Sequence, residues 1–129
     1  MKTLNFKIIL ALFVASFSTF AFTGGNPVHF DKTEFDFGSI VQGTPQKVEF
    51  TVTNESDQPL ILKKVKGSCG CTATDYDTNP IAPGASTTIE ATYNAKSLGS
   101  FRKTVSVYTN IQENPFVLTI KGTVITGQS

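Results

Sequence analysis

The clearest pattern lies at Gln46–Asn54 (QKVEFTVTN), where Val48, Phe50 and Val52 alternate with Glu49, Thr51 and Thr53. A period of two puts one set on each face of a β-strand, and the β-branched Val and Thr disfavour a helix. The alternation recurs along most of the chain. Residues 28–32 form a short strand. Residues 34–38 follow, with Phe35 and Phe37 towards the core, and Ile40 and Val41 continue them. Residues 60–65 and Thr72–Tyr76 are the next two strands. Ser86–Tyr93 alternates again, with Thr87, Ile89, Ala91 and Tyr93 on one side. Residues 101–109 group Phe101, Val105 and Val107, and residues 116–124 turn Phe116, Leu118 and Ile120 inward.

Turn signals separate these runs: Gly43-Thr44-Pro45, the polar 55–59 segment ending in Pro59, Asp77–Pro80, Pro83-Gly84, a loop at 94–100 containing Gly99, and Asn110–Pro115. Residues 81–84 make a short extended piece between two of them. About seven strands with turns at this spacing imply an all-β sandwich of immunoglobulin-like type over residues 28–125. No internal repeat and no helical period interrupts the pattern. The tail from Thr126 is polar. The chain has 11 Phe and no Trp, so phenylalanine takes the core role that Trp fills in antibody domains.

The first residues follow a different pattern. Lys2 and Lys7 precede an apolar run at 8–14, and Thr19-Phe20-Ala21 offers small residues around a cut. This is the layout of a cleaved secretory signal peptide at 1–21, with a flexible lead-in at 22–27 rich in Gly, Asn and Pro. The run is short for a membrane span, which needs about 20 apolar residues, so no stable membrane insertion is expected after cleavage. Removing Lys2 and Lys7 leaves 9 basic against 10 acidic residues, a net charge of −1. That balance excludes a general nucleic-acid binder. The expected location is exported, periplasmic or extracellular, where a disulfide persists.

The chemistry concentrates at Gly67-Ser68-Cys69-Gly70-Cys71-Thr72, which holds both cysteines. In an extended strand, residues i and i+2 share a face with Cα atoms about 6.6 Å apart. That lies near the upper limit for a disulfide, ~4.4–6.8 Å. A Gly70 with positive φ would draw the sulfurs together. Three readings stand. A structural disulfide Cys69–Cys71 would fix a local turn, although a three-residue loop stabilises by only about 1.6 kcal/mol. A thiol–disulfide exchange site is the second, with Lys63, Lys64 and Lys66 near enough in sequence to favour a thiolate; the spacing is not Cys-x-x-Cys and no helix follows. The third is a soft-metal site, Cu(I) or half of a zinc site, with Cys69 and Cys71 as ligands. Zinc would have to borrow Asp75, Asp77 or a second chain.

Other residues carry less. His29 is the only histidine and has no triad spacing, so no catalytic residue and no cofactor is expected. Glu34, Asp36, Glu49 and Glu90 fall on the polar sides of strands. The lysines at 63–66 read as protection of an edge strand.

Two sets of residues carry a family resemblance. Phe35-x-Phe37-Gly38, Gly43, Phe50-x-Val52-x-Asn54 and Leu60 resemble the opening strands of the major-sperm-protein and ASPM/SPD-2/Hydin group of immunoglobulin-like domains. Adding Ser68-Cys69-Gly70-Cys71-Thr72, Ile81-x-Pro83-Gly84, Tyr93-Asn94, Gly99 and Thr109-Asn110, the chain is similar to the secreted bacterial family called domain of unknown function 1573. The resemblance spans residues 29–124. It implies an exported immunoglobulin-like module and no activity. The function expected is therefore a binding or scaffold module with protein partners in the cell envelope, the alternative being a thiol–disulfide or copper-binding protein acting through Cys69 and Cys71.

Overall fold

The computed structural model describes residues 26–127. The expected signal peptide at 1–21 and the first four lead-in residues, 22–25, lie outside the described residues. Eight strands follow: β1 Val28–Phe30, β2 Glu34–Val41, β3 Gln46–Asn54, β4 Leu62–Gly67, β5 Thr72–Tyr76, β6 Ser86–Tyr93, β7 Gly99–Thr109 and β8 Phe116–Ile125. Among the described residues there is no helix, and so none long and apolar enough to cross a membrane.

The strands form two four-stranded sheets, ordered β1-β3-β6-β5 and β2-β8-β7-β4. The immunoglobulin-like sandwich expected from the alternation is what the chain forms. All pairings are antiparallel except β2 with β8. Eight strands stand where the turn spacing implies about seven, and the two at the opening of the chain belong to different sheets. β1 pairs with β3, residues 31–33 cross over, and β2 joins β8. Within β2 the register against β8 shifts between Asp36 and Ser39. Gly38 makes that bulge possible: its φ is 70°, and its N–H donates to Asp36 Oδ1 at 2.8 Å.

The inward rows of both sheets fill one core. Val48, Phe50, Val52, Ile89, Ala91 and Tyr93 come from one sheet, and Leu62, Val65, Val105, Val107, Leu118, Ile120 and Val124 from the other. Tyr93 stacks on Phe101 with ring centroids 3.9 Å apart. Phe35 and Phe37 face the core but are only half-buried, since β2 lies at the rim of its sheet. Leu60 precedes β4 and forms an isolated bridge with Ile81, and both are buried.

One polar residue is fully enclosed. Asn54 has no exposed surface. Its Nδ2 donates to Gln58 O and Ile81 O, each at 2.8 Å, and its Oδ1 accepts from Ser56 N at 2.9 Å and Ser56 Oγ at 2.6 Å. Its backbone N–H donates to Ala85 O, and its C=O accepts from Gly84 N. The side chain therefore ties the end of β3 to the 55–59 turn and to the segment carrying Ile81. Asn110 does similar work nearby, accepting from Ile61 N at 2.7 Å and donating to Pro59 O at 2.9 Å. Replacing Asn54 by Ala removes four hydrogen bonds at a fully buried position, although Gln58 O keeps Ser56 Oγ and Ile81 O keeps Leu60 N as donors. We expect Asn54→Ala to lower the urea-unfolding free energy by about 2–4 kcal/mol, and Asn110→Ala, at an exposed site, to lower it by roughly 1 kcal/mol.

Candidate functional site: the sheet crossover and the open edge of β3

β4 belongs to one sheet and β5 to the other, so the chain changes sheet within residues 68–71. Gly67 permits this. A Cβ placed there would lie 2.6 Å from Thr72 O and 3.0 Å from Thr72 Cβ, so only glycine lets the two strand ends approach so closely. Gly70 does not have the role expected of it. It is absent from the positive-φ glycines Gly38, Gly43, Gly84 and Gly99. The chain is drawn in by a turn instead, in which Thr72 N donates to Cys69 O at 3.3 Å.

The connection is tied to both sheets. Ser68 N donates to Thr104 O at 2.8 Å and Ser68 Oγ accepts from Thr104 N at 3.2 Å, fixing its start to β7. Asn94 N donates to Cys71 O at 3.0 Å, fixing its end beside β6. Thr74 Oγ1 donates to Val65 O at 2.8 Å, joining the edges of β5 and β4 directly. Within this frame Cys69 and Cys71 are joined by a disulfide, with Cα atoms 5.2 Å apart. Both residues are half-buried, and Cys71 packs against the core. Thr72 is buried, and its Oγ1 lies 3.9 Å from Cys69 Sγ and 4.0 Å from Cys71 Sγ.

The remaining sequence candidates are dispersed. Asp75 lies on β5 opposite Glu90, and Asp77 follows the strand. Among the described residues no group of three or more His, Cys, Asp or Glu side chains is placed to hold a metal. His29 is exposed on β1, opposite Thr53. Lys63, Lys64 and Lys66 are exposed on the rim strand β4, and none of them is in an ion pair among the described residues. Lys103 is different. Strand parity turns it to the inner face with Phe101 and Val105, and it is half-buried, one residue before the Thr104 that anchors Ser68. The alternation of 101–109 contains this signal, a lysine on the apolar face.

A second feature lies on the opposite flank. Asn54 N bonds to Ala85 O, one residue before β6 and in register with it, so the even-numbered residues of β3 face β6 and the odd-numbered ones face β1. β1 reaches only Val52 to Asn54. Asp31 extends the coverage by one step: its N–H donates to Thr51 O at 3.0 Å, and its Oδ1 accepts from Thr51 N at 2.8 Å. Beyond that point the backbone groups of Lys47 and Glu49 face outward, with no backbone partner among the described residues. Lys32 stands at this opening, its Nζ 5.8 Å from the ring centroids of both Phe35 and Phe50 and 3.1 Å from Asp31 Oδ2.

Two carboxylates here hold their charge below the ordinary range. For Asp31, desolvation is the largest effect and opposes this, but the Thr51 N–H bond and the Lys32 contacts together outweigh it. For Glu34 the cause is first the hydrogen bond and charge of Lys121, at 2.6 Å, and then Arg102, at 3.4 Å.

Residues 28–124 match the sequence profile of the family described as "Protein of unknown function (DUF1573)". Among curated proteins no sequence match is found. Solved structures share the fold. A protein of unknown function from Porphyromonas gingivalis W83 is 20% identical with a TM-score of 0.65, over 80% of this chain and 51% of that one. The chain thus spans about half the length of that relative. The ASH/PapD-like domain 7 of human CEP192 is 8% identical with a TM-score of 0.64, over 79% and 87% of the two chains. WR4, a C. elegans MSP family member, is 11% identical with a TM-score of 0.50, over 78% and 100%. The resemblance to the sperm-protein and ASH group is borne out at the level of fold.

Two outcomes follow from this geometry. Gly67→Ala forces a Cβ against the Thr72 backbone, and its urea-unfolding free energy is expected to fall by about 1–3 kcal/mol, whereas Gly70→Ala, which meets open space, changes it by less than about 1 kcal/mol. For Asp31 and Glu34 the folded pKa lies below the unfolded one, so the stability they add is complete above the ordinary carboxylate pKa of about 4 and is lost as pH falls through the folded values. Urea midpoints measured from about pH 7 to about pH 3 are expected to drop in that acid window, and to drop less in the Asp31→Asn/Glu34→Gln variant.

Proposed function

The chain belongs to the DUF1573 family, whose description assigns no activity, and we propose that it is an exported immunoglobulin-like module that binds a protein partner in the cell envelope by strand addition and performs no catalysis. The observation that carries this reading is the outward-facing backbone of Lys47 and Glu49. An extended segment laid along β3 beyond β1 finds donors and acceptors in register there, and main-chain pairing supplies affinity without a pocket. The half-buried Phe35 and Phe37 offer apolar surface at the same rim to alternate side chains of that segment.

The β4 rim fits less well. β4 is lined by exposed lysines and interrupted by a register shift between Leu62 and Lys64, both of which discourage pairing. Its Val65 carbonyl is already taken by Thr74. Lys32 gives the β3 opening selectivity, since a cation held beside apolar rings discourages indiscriminate self-association. Export is supported by the pattern of residues 1–21 and by a disulfide in the folded domain, which suits an oxidising compartment.

The test uses proline at an outward position. Glu49→Pro removes one edge N–H and leaves the β6 ladder intact, because residue 49 does not bond to β6. A photo-crosslinker at Lys47 in the native envelope is expected to give a discrete protein adduct. The adduct should weaken at least about tenfold when Glu49→Pro is added, with the circular dichroism of the purified domain unchanged. An adduct of equal yield in the proline variant would contradict binding at this edge.

A further inference from the structure

We propose that Cys69 and Cys71 form a thiol–disulfide exchange site that reacts with an external dithiol, and that Thr72 and Lys103 stabilise the thiolate released when the bond opens. This stands apart from the strand-addition reading, which concerns the opposite flank of the sandwich.

The first ground is that the crossover is held by hydrogen bonds that do not involve the sulfurs. The chain on either side of the ring is fixed by Ser68–Thr104, Asn94–Cys71 and Thr74–Val65, and none of these bonds involves Sγ. A loop this short adds little chain-entropy stabilisation. The bond can therefore open and close within a frame that stays folded, as a cycling disulfide requires. The second ground is access. Both cysteines are half-buried, Gly70 between them is exposed, and the space that a Cβ there would enter is empty to 4 Å. An attacking thiolate has a route to the ring that no side chain of Gly70 obstructs.

The third ground is the hydroxyl of Thr72. It is buried, and its described hydrogen-bond neighbours are the two sulfurs alone, at 3.9 and 4.0 Å. A disulfide sulfur is a weak acceptor, whereas a thiolate is a strong one, so the same O–H gains most when the bond is broken. It can serve either sulfur. The fourth ground is Lys103. Its inward register position on β7 puts a cation on the face of the sheet from which the crossover departs, and it has no ion-pair partner among the described residues. An ammonium that reaches a thiolate from that face lowers the thiol pKa. No helix N-terminus is needed for this purpose.

The exchange balances as follows. A thiolate of the external dithiol attacks Cys69 Sγ, forming a mixed disulfide, and the electron pair of the broken Sγ–Sγ bond passes to Cys71 Sγ. That thiolate is held by Thr72 O–H until it is protonated. The second thiol of the reductant, once deprotonated, attacks its own sulfur in the mixed disulfide and releases Cys69 as a thiolate. Two electrons and two protons pass from the dithiol to the protein, and the dithiol leaves as its disulfide. Cys69 is the site of attack because Cys71 packs against the core.

Secreted, folded protein would be placed in dithiothreitol at neutral pH without denaturant, quenched with an alkylating agent and weighed for free thiols. The wild type is expected to gain two thiols and to regain its disulfide on oxidation, with circular dichroism unchanged throughout. Thr72→Val should slow opening roughly three- to tenfold, as loss of one hydrogen bond would, and Thr72→Ser should restore it. Lys103→Met tests the same claim without touching the loop: the pH at which the reduced pair alkylates at half-maximal rate should rise. A pair that opens only in urea would overturn the proposal. So would Thr72→Val exchanging at the wild-type rate, or an unmoved alkylation profile in Lys103→Met.

Discussion

The rest of the structure depends on one constraint at the crossover, where the chain must leave one sheet and enter the other within four residues. Two strand ends can meet so closely only if one of them carries no side chain, and Gly67 against the Thr72 carbonyl meets that condition. From that contact follow the positions of Ser68 on β7, of Cys71 beside Asn94, and of Thr74 over the β4 edge. The same contact places the Thr72 hydroxyl beside both sulfurs. The disulfide therefore sits inside a frame held by bonds that do not involve its sulfurs.

The two flanks of the sandwich differ for a related reason. On the crossover side Thr74 joins the rim of β5 to that of β4, and β4 carries the exposed Lys63, Lys64 and Lys66. On the other side the chain also changes sheet, at residues 31–33, but β1 is only three residues long and leaves part of β3 uncovered. Asp31 and Lys32 manage the gap. The carboxylate extends the ladder by one step, and the ammonium lies beside the apolar rings. The module thus carries its disulfide on one flank and the uncovered β3 edge on the other.

Much of this was legible in the sequence, and the parts that were not have physical causes. The period of two located the strands around Val48, Phe50, Val52, Ile89, Ala91, Leu118 and Ile120, because each faces a buried layer. It could not say which strands pair, so the parallel contact of β2 with β8 and the division of 28–41 between two sheets were hidden. The cysteine segment looked like a kinked strand end, with Gly70 as the pivot. Pairing decided otherwise: the close approach is between strand ends, so the constraint fell on Gly67. Asn54 closes an alternating strand and precedes Ser56 by two residues, a local signal for a side-chain-capped turn. Its burial and its reach to Ile81 depend on long-range packing. Lys103 stood in plain view on an apolar face, and its meaning needed the register with Ser68.

The central claim is that the ring opens inside a folded frame, and residue-resolved amide hydrogen exchange on the oxidised and fully reduced protein tests it most directly. The account predicts that reduction accelerates exchange only within residues 69–72, while the amides of Ser68, Asn94 and Thr104 keep their protection. Loss of protection spreading through β4 and β5 on reduction would contradict it.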